Sequence, residues 1–345
     1  MATPLGTDSS WPGLSRPSTP FSRHACKQDV DARDSALRAG PGMTNGQAVQ
    51  PMDTKPVTDR TTFEAQLAAL RGKLHRYCAR MTGSVVDGED VLQDTLIKAI
   101  EAFPAAAPIA NVEAWLMRIA HTTALDFLRA RTRAQGRAAP EDPDMLTDDA
   151  TSADARVAAA ASLAAFMQLP VAPRASVILM DVLGYSLAEV GEATGATLPA
   201  VKAALNRGRT RLRELAAAPA DKPAPALAAA ERARLADYVA RFNARDFDAL
   251  RALLAEDVRL DLVARHKVAG RGNVGNYFSN YARLPDWQLT PALIEGRAGA
   301  LVRDPDSGAP LYFVLLGFAG DGLATIRDFR YARYALEGAE VIELQ

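Results

Sequence analysis

The side chains in this sequence best suited to chemistry are basic, and they fall in two helical stripes. Between Leu198 and Leu215, Lys202, Asn206 and Arg213 share one flank of a helical wheel, with Arg207 and Arg211 on the other. Val201, Leu205, Gly208, Leu212 and Leu215 form the apolar face opposite. A helix lying in a DNA groove meets a phosphate wall on each side, so cations on both flanks suit it. The second stripe runs Arg118, Thr122, Leu125, Arg129 at three- and four-residue steps, with His121 beside it and Arg131, Arg133 and Arg137 beyond. Cations interleaved with hydrogen-bonding side chains are what a helix facing nucleic acid needs. A third set lies near the C-terminus: Asp261, His266, Tyr277, Trp287 and Asp328 are candidates to line a pocket, and an Asp/His pair can move protons. The plainer reading of that set puts Trp287 and Tyr277 in a core, Asp261 on an edge strand and His266 in a loop. No catalytic residue is therefore assigned.

The elements that carry these residues are legible from their punctuation. Ser186 and Glu189 make an S-x-x-E capping box that opens a short helix. Gly195 sits where the chain must turn, and Thr197 caps the basic helix with Pro199 in its first turn. Together they spell a helix-turn-helix. Upstream, from Thr61 to about Arg137, three amphipathic helices are expected. Phe63, Leu67, Leu70, Leu74 and Tyr77 stripe the first; Val91, Leu92, Thr95, Leu96 and Ala99 the second; Val112, Leu116, Ile119, Thr123, Phe127 and Ala130 the third. Asp87, Glu89, Asp90, Gln93 and Asp94 crowd the start of the second helix, where acids complement the positive end of the helix dipole.

Composition bounds the rest. The 345 residues carry a net charge of −1, so any nucleic-acid signal is local rather than global. Cys26 and Cys78 are too few and too far apart for a disulfide framework or a zinc site, and neither a metal nor a cofactor is expected. No apolar run reaches membrane-spanning length and the N-terminus lacks a hydrophobic signal core, which leads us to expect a cytoplasmic protein with no membrane partner. Residues 1–58 are rich in Pro, Ser, Gly, Thr and Asp, and are read as a disordered extension. A helical domain spans 59–137, an acidic linker 138–157, the helix-turn-helix domain 158–216 and an Ala/Pro linker 217–227. From 228 to 345 helices come first and strands follow, with turns at Asp306-Ser307-Gly308 and Asp321-Gly322. The expected fold is multidomain: two all-α domains, the second a helix-turn-helix, then an α+β cone.

The segments VDGEDVLQDTLIKAIEAF, AWLMRIAHTTALDFLRARTR and LPVAPRASVILMDVLGYSLAEVGEATGATLPAVKAALNRGRTRLREL, in that order, resemble the two domains of bacterial extracytoplasmic-function sigma factors. The resemblance covers roughly 62–216 and implies a non-enzymatic protein whose partners are core RNA polymerase and promoter DNA. It implies polymerase docking by Asp90, Gln93, Asp94 and Leu96. It implies contact with the minus-ten element, as single strand, by Arg118, His121, Thr122, Asp126 and Arg129. Major-groove reading of the minus-thirty-five element would fall to Lys202, Ala203, Asn206 and Arg207, with Arg209 and Arg211 on phosphates. Thr122 departs from the Asn usual in the family. The acidic linker would pass through the polymerase, as a tether and as a nucleic-acid mimic. The C-terminal third, through RFNARDFDALRALLAEDVRLDLV, GRGNVGNYF, Trp287 and IRDFRYARYALE, resembles SnoaL-like members of the nuclear-transport-factor-2-like superfamily. That implies a regulatory domain that packs on the helical domains or the polymerase, with a small ligand in its pocket. Two alternatives stand beside this reading: a stand-alone helix-turn-helix regulator, and a bifunctional protein with an enzymatic C-terminal domain.

Overall fold

The structure, a computed structural model, describes residues 56–135, 152–217, 226–283 and 287–344. Contacts divide the chain between Asp53 and Thr54, and every described residue belongs to the second unit. The N-terminal extension up to residue 55, most of the acidic linker and most of the Ala/Pro linker lie outside the described residues. Two expected boundaries move. Val57, inside the expected extension, is buried and bridges Ile109 antiparallel. A helix starts at Ser152, inside the expected acidic linker.

Three helices build the first domain: α1 (Arg60–Thr82), α2 (Val85–Ala106) and α3 (Val112–Ala134). Each begins on a side-chain cap. Asp59 accepts from the Thr62 amide, Ser84 from Asp87 and Asn111 from Ala114, satisfying amides that a helix start leaves without partners. Gly83 closes α1 at φ 79°, a left-handed angle that glycine adopts without strain. Phe63, Leu74, Tyr77, Leu92, Leu116 and Met117 fill the space between the helices.

The second domain comprises α4 (Ser152–Ala160), α5 (Leu163–Phe166), α6 (Val171–Val177, continued by a π-turn Ile178–Val182), α7 (Leu187–Thr194) and α8 (Leu198–Ala217). Both halves of the Ser186/Glu189 capping box form, and Gly195 turns the chain at φ 72°. The Ala200 amide reaches Thr197 Oγ at 3.4 Å. Gly208 is where α8 crosses α6: a Cβ there would lie 2.6 Å from Val177 Cγ2 and 3.1 Å from Pro173 O. Its apolar face joins the first domain's in one continuous core. Arg174 reinforces that junction from a buried position, donating to Met81 O at 2.7 Å and Leu169 O at 2.8 Å.

The C-terminal domain opens with α9 (Ala229–Asn243) and α10 (Phe247–Ala252). A seven-stranded sheet follows: β1 (Leu254–Leu262), β2 (His266–Ala269), β3 (Gln288–Ile294), β4 (Arg297–Arg303), β5 (Pro310–Ala319), β6 (Gly322–Asp328) and β7 (Val341–Glu343). Helix α11 (Arg271–Ala282) is inserted after β2, and a 3-10 turn at Arg333–Gly338 precedes β7. The strand order is β2-β1-β6-β5-β4-β3-β7, antiparallel except for the β1–β6 pair. This is the expected α+β arrangement of helices first and a sheet afterwards. One sheet face packs Phe242, Phe247, Phe278, Tyr281 and Trp287 against the helices. Residues of the other face join Ala79, Val85 and Val86 of the first domain.

Candidate functional site

Helix α3 presents Arg118, Thr122, Asp126 and Arg129 on an exposed face. The Thr122 hydroxyl turns back to donate to the Arg118 and Ile119 carbonyls at 3.1 and 2.9 Å. Arg129 donates to Asp126 at 3.4 Å. His121 does not belong to this face. It is 7% exposed, and its Nδ1 lies 2.7 Å from the Tyr77 hydroxyl. Burial, aided by the nearby Arg129 charge, pushes its pKa down to about 4. A neutral histidine held in the core has no surface to offer a base.

On α8, Lys202 and Arg211 are exposed, Asn206 and Arg207 are half-buried, and Arg211 pairs with Glu214 at 2.9 Å. Two expected contacts turn inward instead. Ala203 is 5% exposed. Arg209 is buried and grips Asp181 of the π-turn through two bonds, Nε to Oδ2 at 2.8 Å and Nη2 to Oδ1 at 2.6 Å. A guanidinium spent on a bidentate buried carboxylate holds the helix in place rather than reaching phosphate.

The face of α2 assigned to polymerase is shared with the C-terminal domain. Asp94 is exposed and Gln93 half-exposed, whereas Leu96 is 7% exposed and belongs mainly to the core. Asp90 receives Arg327 of β6 at 2.7 and 3.3 Å. Glu295, in the β3–β4 turn at φ 50°, sets its carboxylate on the start of α2, accepting from the Val85 amide at 2.7 Å and Ser84 Oγ at 2.6 Å. Burial pushes the Glu295 pKa upward, while the Ser84 and Val85 bonds draw it back. Tyr334 donates to Glu89 at 2.8 Å, and Arg71 meets the same carboxylate at 3.2 Å. Arg297 reaches Asp87 at 3.4 Å. Between these polar ties, Val85 and Val86 pack with Val263, Ile294, Phe313 and Phe329.

The five expected pocket residues do not converge. Tyr277 and Asp328 meet inside the sheet domain, the Tyr277 hydroxyl donating at 3.0 Å and Tyr281 donating to the same oxygen at 2.6 Å. Tyr312 lies 3.0 Å from Tyr281 and accepts from Arg330 at 2.9 Å. Burial pushes the Asp328 carboxyl upward, opposed by the two tyrosine bonds and the Arg330 amide. Trp287 belongs to the aromatic core, its indole donating to Tyr281 O at 3.2 Å. Asp261 and His266 lie elsewhere, on β1 and β2, beside α2. The Asp261 carboxylate is held by Arg327 at 3.2 Å and Lys267 at 3.7 Å. No group of three or more metal-ligating side chains occurs among the described residues.

Glu295, Arg327, Tyr334, Asp181 and Arg174 carry these arrangements, and sequence reading did not single them out. Their partners lie far away in the chain, and no local spacing announces them. Arg209 did leave a signal, since it falls four residues after Leu205 and three before Leu212, on the apolar stripe.

A three-helix domain and a packed helix-turn-helix domain, each with an outward basic face, define a nucleic-acid-binding architecture. The family model for Sigma-70 region 2 matches residues 67–134, and that for Sigma-70 region 4 matches 162–212. The chain is 32% identical over 216 residues to the ECF RNA polymerase sigma factor SigG of Mycobacterium tuberculosis, covering 55% of this chain and 58% of the relative. It therefore spans little more than half of that relative's length. SigM of the same species is 32% identical over 157 residues, covering 46% of this chain and 78% of SigM. The crystal structure of M. tuberculosis extracytoplasmic function sigma factor SigJ aligns over 77% of this chain and 95% of its own, at 22% identity and a TM-score of 0.30. The chain belongs to the extracytoplasmic-function sigma factor family.

Proposed function

We propose that this protein binds core RNA polymerase through α2, meets the minus-ten element through α3 and reads the minus-thirty-five element through α8. The observation that carries this reading is the pair of outward faces, Arg118/Thr122/Asp126/Arg129 on α3 and Lys202/Arg211 on α8, each inside a matching sigma region. Flipped bases would stack and bond against the α3 face, where Thr122 offers a hydroxyl already turned back on the helix. The half-buried Asn206 and Arg207 flank the α8 surface, which enters the major groove with Lys202 and Arg211 on the phosphate walls. Cytoplasmic action follows from such a role, and no described helix is long and apolar enough to cross a membrane.

The C-terminal sheet domain acts as a restraint on docking. Arg327 occupies Asp90 on the very face assigned to polymerase, and the shared apolar contact with Val85 and Val86 holds it there. Polymerase must outcompete Arg327 for Asp90. The enzymatic alternative is disfavoured because Asp261 is engaged by two cations on β6 and β2, away from the Tyr277–Asp328 cluster. Core-polymerase binding by the full chain tests the restraint: Arg327→Ala should tighten binding, and unchanged affinity would contradict it.

A further inference from the structure

An open groove of about 320 Å³ runs between α2 and the β1–β2 hairpin. Leu96, Ile97 and Ile100 form one wall, and Leu262 with Ala264 the other. Ile97 is 53% exposed and Ile100 39%, so both side chains meet water at the groove's mouth. The polar lining sets Arg265 and Lys267 beside one carboxylate, Asp261, which Arg327 holds at 3.2 Å and Lys267 at 3.7 Å, while Arg71, also in the lining, is already bound to Glu89. The Arg265 guanidinium stacks 4.5 Å from the Tyr331 ring and meets no carboxylate among the described residues. The volume lies at the lower end of the range typical of small-ligand sites, roughly 300–1,000 Å³, and such sites favour junctions between domains.

We infer that this groove binds an aliphatic carboxylate, its chain along Ile97, Ile100 and Leu262 and its head group on Arg265 and Lys267. A hydrocarbon chain would take the exposed isoleucines out of water, and the head group would give Arg265 a carboxylate partner, with Lys267 close enough to share it. A dication or a sugar would satisfy neither wall. Binding itself is independent of the polymerase reading. Its consequence rests on that reading, because a chain lying against Gln93 and Leu96 would cover part of the docking face.

Decanoate, below its micellar concentration, is the probe, titrated into the full chain by calorimetry with no polymerase present. One saturable site is expected. Ile97→Asp and Arg265→Glu, both at exposed positions that leave the core intact, should each weaken it about tenfold. Chain methyl protons should show cross-peaks to Ile97 and Ile100 methyls by NMR. Decanol should bind about tenfold more weakly than decanoate. Absence of saturable binding, or binding indifferent to both variants, would overturn the site, and equal affinity for decanol would overturn the head-group assignment. Neither failure touches the polymerase reading, which is measured separately.

Discussion

Among single residues, Arg209 and Lys202 separate structural from DNA-facing cations on one helix. Arg209→Ala leaves Asp181 buried without its partner, at a cost of about 3–5 kcal/mol in equilibrium unfolding. Lys202→Ala should leave stability within about 0.5 kcal/mol of wild type and lower the salt slope of DNA binding by roughly one. A stable Arg209→Ala protein with weakened DNA binding would reverse the assignment. The buried histidines add a pH dependence. His75 donates from Nε2 to Val85 O at 2.9 Å, and burial pushes its pKa, like that of His121, down to about 4. The unfolded chain therefore takes up these protons first. Their stabilisation is complete above about pH 6.5 and is lost as pH falls from 6.5 towards 4, on the order of 3 kcal/mol each. Glu89, Glu295 and Asp328, whose pKa values burial raises, act with the opposite sign: they lose stability as pH rises through their folded values. A comparison with His75→Gln isolates one contribution: the stability gap to wild type should narrow between pH 7 and pH 5, measured by urea unfolding. A pH-independent gap would contradict the burial argument.

At the level of elements, most of what positions the two basic faces could be read from the sequence. The capping box at Ser186, the turn at Gly195 and the apolar stripes of α1, α2 and α8 all rest on neighbours three or four residues apart. What spacing did not convey is which polar residue on a stripe has a distant partner. His121 read as part of the surface because Tyr77 is 44 residues away, and Arg209 read as a phosphate contact because Asp181 is 28 away. Glu295 is the extreme case, a turn residue that caps a helix 210 positions earlier. Removing its carboxylate leaves the Val85 amide and Ser84 hydroxyl without their acceptor inside an interface. Glu295→Ala should cost about 1–3 kcal/mol and speed amide exchange in the first turn of α2. Exchange equal to wild type in that turn would show that the cap does not hold α2.

For the whole molecule, the resemblance implied a C-terminal domain packed on the helical domains or on the polymerase, and named no face for it; the sheet packs on the first helical domain. The contact is apolar in its middle, with Val85, Val86, Phe313 and Phe329 buried together, and is ringed by Arg327–Asp90, Tyr334–Glu89 and Arg297–Asp87. A chain ending near Leu215 would expose Val85 and Val86, so it should be less soluble and less stable than the full chain. Substituting Arg327 is the gentler way to free Asp90. The same packing explains why Asp261 and His266 never met the Tyr277–Asp328 cluster: the sheet turns β1 and β2 towards α2, while Tyr277 points into the aromatic interior. The most direct measurement of the central claim is transcription reconstituted from bacterial core polymerase, the full chain and genomic fragments, run beside Arg327→Ala. Discrete start sites dependent on the chain, and more transcript from Arg327→Ala, are the expected result. No chain-dependent starts and no core binding by either protein would contradict the claim and leave a stand-alone helix-turn-helix regulator.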